Sequence, residues 1–246
     1  MKQVYLKVLS NEALTENVFR MRLKGDISGI TSPGQFVNVR LDGLFLRRPI
    51  SVCDVCGDEL TLIYKRVGRG TAQMSLMKGG EELDVLTGLG NGYDLTVLKT
   101  GDRPLLIGGG VGVPPLYLLA KKLREQGFRP RVVLGFNRAP EVFYAEEFEK
   151  LGCEVTVATA DGSLGIKGFV TDALPEQYDY VYCCGPEPML KAVYRSTVTS
   201  GQYSFEERMG CGFGSCMGCS CRTITGNKRI CREGPVLRKE EILWED

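Results

Sequence analysis

Hydrophobic and polar positions change rhythm once along this chain. From Val4 to about Val97, short runs rich in β-forming residues, VYLKVLS, VFRMRL, QFVNVRL, LTLIYKRV and ELDVLT, are separated by turn segments such as GDISG, SPG and CGDE. Strands of that length and spacing predict a small antiparallel β-barrel. From about Lys99 the period shifts. PLLIGG is a buried-strand run followed by a helical pattern through LYLLAKKLREQG, and RVVLGF, FYAEEFEKLG, CEVTVAT, YDYVYCCG and EPMLKAVYRSTV continue the alternation. Strand and helix in alternation predict a doubly wound parallel sheet. Beyond that the periodicity fades and glycines and cysteines take over. The expected organisation is a barrel over 1–98, an α/β domain over 99–202, and a small subdomain over 203–246 that folds around whatever its cysteines bind.

A length of 246 residues is enough for two cores and a small appendage. Hydrophobic content of 43%, charged content of 25% and a formal net charge of +1 are ordinary for a globular protein and give no electrostatic case for nucleic acid or anionic membrane. The opening MKQVYLKVLS lacks a leader pattern, and no apolar run is long enough to cross a bilayer, so the expectation is a cytoplasmic protein. The chain contains no histidine. That removes the usual general base and the commonest zinc ligand, and makes acid–base hydrolysis unattractive. Hydride and electron transfer need no such group, because a cofactor carries the chemistry.

GGGVGVPPL (Gly108 to Leu116) follows a predicted strand and opens a helix, where backbone amides and the helix dipole can receive a pyrophosphate. A tight packing turn would look the same. YVYCCGPEPML puts Cys184 and Gly185 at the end of a later strand, so both turns would face one crevice beyond the carboxyl ends of the strands. Cys184 reads equally well as a small buried hydrophobe. In the barrel half, LRRPISVCD carries Arg48 and Ser51, and LIYKRVGRGTAQMS joins a strand to a glycine-rich turn with a threonine. An arginine fork, hydroxyls and turn amides are what a diphosphate-bearing cofactor needs. Each motif alone is compatible with a surface arginine or an ordinary loop.

Five of the ten cysteines lie after position 210. Cys211, Cys216, Cys219 and Cys231 give C-x4-C-x2-C-x11-C, close to the plant-type ferredoxin spacing that holds a [2Fe–2S] cluster. Gly210, Gly212, Gly214 and Gly218 make that loop compact and leave its amides free to point at sulfur. Four thiolates also suit structural zinc, although zinc needs no glycine-dense loop. Cys221 is a fifth candidate that the four-ligand set does not require. Cys53, Cys56, Cys153 and Cys183 are read as packing residues, with no metal or redox role for the Cys53–Cys56 pair.

Arg48-Pro-Ile-Ser51, Gly70-Thr71, Gly108-Gly-Gly-Val-Gly112 and Cys184-Gly-Pro-Glu-Pro-Met189 occur in the order seen in the ferredoxin–NADP reductase superfamily, which the chain resembles over nearly 190 residues. The resemblance implies a flavin-binding barrel, a nicotinamide-binding α/β domain and FAD between them. Arg48 would grip the FAD diphosphate, Pro49 and Ile50 would lie by the flavin, and Ser51 would hydrogen-bond the isoalloxazine. Ile63, Tyr64, Lys65, Gly70 and Thr71 would complete that site. Ile50 stands where many members have a tyrosine, so contact there is expected to be aliphatic. Gly109, Gly110 and Gly112 would face NAD, with Cys184 beside the carbon that exchanges hydride. Arg138 would reach the adenosine ribose or a 2′-phosphate, or simply be a solvated loop residue, which leaves NAD against NADP open.

The short cysteine-bearing extension ending in CREGPVLRKEEI, together with ADGSLGIKGFVTD, is similar to the electron-transfer subunits of type B dihydroorotate dehydrogenases. That likeness implies an FMN-containing catalytic partner that oxidises dihydroorotate in pyrimidine (UMP) biosynthesis. Electrons would pass through [2Fe–2S] and FAD to NAD, in a heterotetramer of two plus two subunits. This chain is not expected to oxidise dihydroorotate alone. Hydrophobic surface near 205–235 is the expected interface. The alternatives are the same FAD/[2Fe–2S] module in another NAD(P)H-linked complex, of ferredoxin–NADP reductase or hydrogenase type, or a zinc-stabilised module that only senses nucleotide.

Overall fold

The computed structural model describes residues 1–244, so the last two positions of the subdomain expected over 203–246 lie outside the described residues. The first half closes into a barrel from β1 (Lys2–Ala13), β2 (Val18–Lys24), β3 (Phe36–Val39), β4 (Arg48–Cys56), β5 (Glu59–Lys65) and β6 (Glu82–Leu89), in spatial order β1-β2-β5-β4-β3-β6, with α1 (Arg69–Ser75) between β5 and β6. Every neighbouring pair is antiparallel. Alternation explains the closure: Val4, Leu6 and Val8 of β1 and Leu83, Val85, Thr87 and Leu89 of β6 are buried, while the residues between them face outward. Leu6, Met21, Leu23, Val37, Val39, Leu60 and Leu62 are fully buried in this core. Each such side chain contributes about 1.5–3 kcal/mol over an exposed one.

Strand β4 divides its partners. Arg48–Ser51 pair with β3, whereas pairing with β5 begins only at Val52↔Leu62, across a bulge between Val52 and Asp54. Ile63, Tyr64 and Lys65 pair only with β2 on their other side. The barrel therefore carries a seam, with 48–51 on one lip and 63–65 on the other.

The second half is a seven-stranded sheet built from β7 (Pro104–Gly109), β8 (Arg131–Phe136), β9 (Glu154–Thr159), β10 (Ile166–Lys167), β11 (Tyr180–Cys184), β12 (Gly201–Ser204) and β15 (Val236–Arg238), ordered β10-β9-β8-β7-β11-β12-β15. All neighbours are parallel except β12 and β15. β7 and β11 are buried along their whole length, as central parallel strands covered on both faces must be. The crossovers carry α2 (Pro114–Glu125), α3 (Ala145–Lys150) and α4 (Glu187–Ser196). Pro114 at the first position of α2 loses nothing, because the amide it lacks has no partner within the helix. From β7 the chain winds out through β8 and β9, then returns to β11 on the other side, so the order reverses between β7 and β11. Turns leaving two such strands diverge and leave a crevice.

α2 also joins the two halves. Its Leu116, Leu119 and Leu123 share a buried cluster with Val18, Cys53 and Ile63 of the barrel. Lys121 Nζ lies 2.9 Å from Asp54 Oδ1 and donates to Val55 O at 3.1 Å.

The sheet continues past the boundary expected at 202. β12 runs to Ser204, and β15 returns antiparallel along it with Ser204 opposite Val236. Between them lies the cysteine segment, which contains a hairpin of β13 (Ser220–Thr223) and β14 (Gly226–Arg229). These strands have only three or four residues, too short to show a period.

Candidate functional site

The two flavin motifs expected from sequence meet at the barrel seam. Arg48, Pro49, Ile50 and Ser51 are half-buried on one lip. On the other, Ile63 and Tyr64 are only 4% and 2% exposed and Lys65 is exposed. Ile63 packs in the interdomain core, and Tyr64 Oη donates to Asn11 Oδ1 at 2.9 Å with Phe19 stacked on its ring. Those two side chains are thus committed to packing, and the main chain is what this lip has left to offer. Arg48 crosses to α1, where a Cβ on Gly70 would fall 2.4 Å from Arg48 Nε. Only glycine lets the guanidinium lie there. Thr71 Oγ1 accepts from Val67 N (2.9 Å) and Gly68 N (3.3 Å) and donates to Gly68 O (3.2 Å), so its hydroxyl shapes the turn ahead of α1. Strand edges at 48–51 and 63–65 that do not pair with each other, with an arginine at the start of one of them, offer the main-chain groups and the cation that a flavin and its diphosphate require.

The two turns at the sheet switch point also meet. A Cβ on Gly112 would fall 2.3 Å from Cys184 O and 2.6 Å from Gly185 Cα, so the glycine turn and the Cys-Gly-Pro turn are in backbone contact. Gly109 lies against the Met189 side chain, whose Sδ a Cβ would meet at 2.4 Å, and Gly110 has φ +52, a conformation other residues rarely adopt. Cys184 is 9% exposed, and burial, opposed by the nearby Ser204 and Tyr93 hydroxyls, pushes its thiol up to about 12. It is a neutral thiol at physiological pH and no nucleophile. Arg138 is exposed and held by Glu141 at 2.9 Å. A cavity of about 390 Å³ runs from Gly185–Glu187 to Cys221, Arg222 and Trp244, linking this crevice to the cysteine segment.

The four expected ligand cysteines gather as two pairs. Cys211 N donates to Cys216 Sγ (3.4 Å), while Ser215 N (3.2 Å) and Cys216 N (3.4 Å) donate to Cys211 Sγ. Cys231 N donates to Cys219 Sγ at 3.4 Å. Burial pushes the Cys211 thiol up, but the amides of Phe213, Cys216 and Ser215 and the Cys216 thiol outweigh it and bring the group down to about 6. Burial pushes Cys231 up to about 12, with the Cys219 thiol adding to the rise. Among the described residues, no three or more metal-ligating side chains converge on a single point. Two thiol pairs, each receiving backbone N–H···S bonds, are the donor set that would hold a [2Fe–2S] cluster. Cys221 stands apart, its thiol turned to Arg222 O at 3.7 Å.

What fastens this loop was not visible in sequence. Asn91 N donates to Gly234 O (2.7 Å), its amide donates to Glu233 O and Val236 O, and its Oδ1 accepts from Val236 N. Asn38 Nδ2 donates to Cys211 O at 3.4 Å. Arg229 holds Glu233 and donates to Gly214 O at 2.6 Å. An asparagine just after a strand is the only sequence signal for Asn91, and Ser204 and Tyr93 beside Cys184 had none.

A family profile described as the iron–sulfur cluster binding domain of dihydroorotate dehydrogenase B matches residues 206–243, and one described as an oxidoreductase NAD-binding domain matches 106–195. The dihydroorotate dehydrogenase B (NAD(+)) electron transfer subunit of Bacillus pumilus (strain SAFR-032) is 43% identical, over 98% of each chain. The protein of the same description from Geobacillus sp. (strain WCH70) is 44% identical, over 99% of each. Among solved structures, one describing flavin-based electron bifurcation by the NADH-dependent reduced ferredoxin–NADP oxidoreductase superposes with a TM-score of 0.88 at 31% identity, covering 97% of this chain and 90% of that one.

Proposed function

Because the chain belongs to the family of dihydroorotate dehydrogenase B electron transfer subunits, we propose that it collects electrons released when an FMN-containing partner oxidises dihydroorotate and delivers them, by way of [2Fe–2S] and FAD, to NAD in pyrimidine biosynthesis. One observation supports this most: the paired thiols lie on a loop that touches β3, the strand paired with the flavin lip of β4, while the far end of that loop joins the nucleotide sheet. FAD, when bound, exchanges two electrons with nicotinamide as hydride and one at a time with iron–sulfur.

The chain's own residues bind and orient. Arg48 neutralises the diphosphate, with Gly70 clearing its path. Pro49, Ile50 and Ser51 face Ile63, Tyr64 and Lys65 across the seam, and Thr71 keeps the adjoining turn in shape. Gly109, Gly110 and Gly112 admit the dinucleotide to backbone distance, and the neutral, buried Cys184 keeps water from the ring carbon that exchanges hydride. Cys211, Cys216, Cys219 and Cys231 ligate the cluster. No side chain moves a proton in this scheme, consistent with a chain that lacks histidine.

The partner surface centres on the cysteine loop, where Phe213 and Met217 are 40% and 53% exposed. It extends to Phe45 and Leu46, on the barrel loop whose Arg47 is tied to Asn38. The assembly is two of each subunit. The test is co-expression with the FMN subunit and anaerobic purification. The expected result is a complex containing FAD, FMN, iron and sulfide in which NADH or dihydroorotate bleaches both flavin and cluster bands. Zinc in place of iron, or a chain that co-purifies only with a larger iron–sulfur protein, would overturn it. Phe45→Glu and Phe213→Glu are expected to release the partner while NADH still bleaches the FAD.

A further inference from the structure

Asn38 is 1% exposed, yet it is an amide on a strand otherwise made of apolar residues. Val37 and Val39 point into the barrel core, so Asn38 and Phe36 face the other way. Phe36 on that outer face joins the buried cluster that contains Cys219, Ile230 and Cys231. Across the ladder, Asn38 is opposite Pro49 of the flavin lip. Phe36 is likewise opposite Ser51, but Asn38 is the residue of β3 whose side chain donates a hydrogen bond to the cysteine loop.

Its hydrogen bonding is half complete. The Cys211 carbonyl can only accept, so the NH2 end of the amide must face it, at 3.4 Å. Oδ1 is then turned away, and this buried oxygen has no partner. A buried amide oxygen without a donor is destabilising, and folded proteins retain few of them. The loop comes as close as backbone permits: Gly212 sits at φ +78, and a Cβ there would fall 2.3 Å from Asn38 Nδ2. Arg47 Nη1 donates to Asn38 O at 3.3 Å and to Asp84 O at 3.1 Å, fixing the strand beneath.

We propose that Asn38 is a positioning residue shared by the two sites: it fastens the cysteine loop to the flavin strand and holds a free carboxamide oxygen for a hydrogen-bond donor that is in place only when the cofactors are bound. The inference rests on the functional reading above. A purely packing role would be served better by valine or leucine, which would leave no orphan oxygen. A neutral amide also suits a position hydrogen-bonded to the backbone of a proposed cluster ligand, Cys211, where a carboxylate would oppose the arrival of an electron.

Asn38→Asp keeps the shape, removes the donor to Cys211 O and adds a negative charge. Asn38→Ser shortens the side chain and adds none. In anaerobic holoprotein, the measurements are the reduction potential and EPR line shape of the cluster, with stopped-flow mixing against NADH followed separately at flavin and cluster wavelengths. For Asn38→Asp, a lower cluster potential and cluster bleaching slowed roughly tenfold relative to the flavin phase are expected. For Asn38→Ser, the cluster phase is slowed with less change in potential. Wild-type potential, line shape and phase ratio in both variants, at full iron and flavin content, would overturn the role of Asn38. A wild-type protein with no EPR-active reduced cluster would overturn this inference together with the functional reading.

Discussion

The barrel and sheet differ from the cysteine loop in what makes them ordered. In the first two, the residues proposed to face the cofactors sit on strands and turns whose cores are already full: β7 and β11 are buried end to end, and the barrel core closes on its own side chains. Between Ser204 and Val236 the chain has one short hairpin and little apolar cover, and it is fastened by side chains such as Asn91, Asn38 and Arg229. A scaffold of the first kind holds its site before the ligand arrives. One of the second kind takes a large part of its order from what it binds.

The contrast is most directly broken by removing a ligand. Cys219→Ser is expected to lower iron and sulfide content at least roughly tenfold while FAD content stays at the wild-type level. Parallel loss of FAD, read from the released flavin, would mean that loop and barrel are ordered as one unit. Stripping the cluster from wild-type protein with a chelator is expected to expose 206–233 to limited proteolysis while a fragment carrying the barrel and most of the sheet survives. Mass spectrometry of the fragments decides it.

On the scaffold side, Gly112→Ala would drive a methyl into Cys184 O at 2.3 Å. It is expected to cost about 1–3 kcal/mol of unfolding free energy, read from denaturant titration, and to raise KM for NADH, with iron content unchanged. Lys121→Met leaves Asp54 without its partner across the domain junction and is expected to cost about 1 kcal/mol. The smallest effect is one of pH. Burial raises the thiols of Cys53 and Cys184, so above about pH 9 the unfolded chain releases protons that the folded one keeps, and stability falls. Between about pH 6 and 8 both states hold those protons, and a melting series there is expected to show no slope from these thiols.

Sequence reading is most specific where its signals are local. Arg48 to Ser51, the glycines after β7 and the C-x4-C-x2-C run each declare themselves within a few residues, and the change from a period of two to strand–helix alternation located the junction of barrel and sheet. It did poorly where one residue acts across the fold. Asn38 is 173 positions from Cys211, and nothing around it marks it as more than a strand residue. Tyr64 shows the reverse: it was expected in the flavin site, yet its ring is spent on Phe19 and its hydroxyl on Asn11. The return of β15 was missed because three residues carry no period, and its pairing is set by a strand more than thirty positions earlier.

That return has a further consequence. Because Ser204 and Val236 are paired, the cysteine segment leaves and rejoins the sheet at adjacent points, in the manner of a cassette. Closing such a loop costs little more as it lengthens, about 0.6 kcal/mol for each doubling. A short turn joining 204 to 236 would leave the sheet's edge strand in register, so a nucleotide-binding reductase could gain or shed the whole cluster module without rewiring its core.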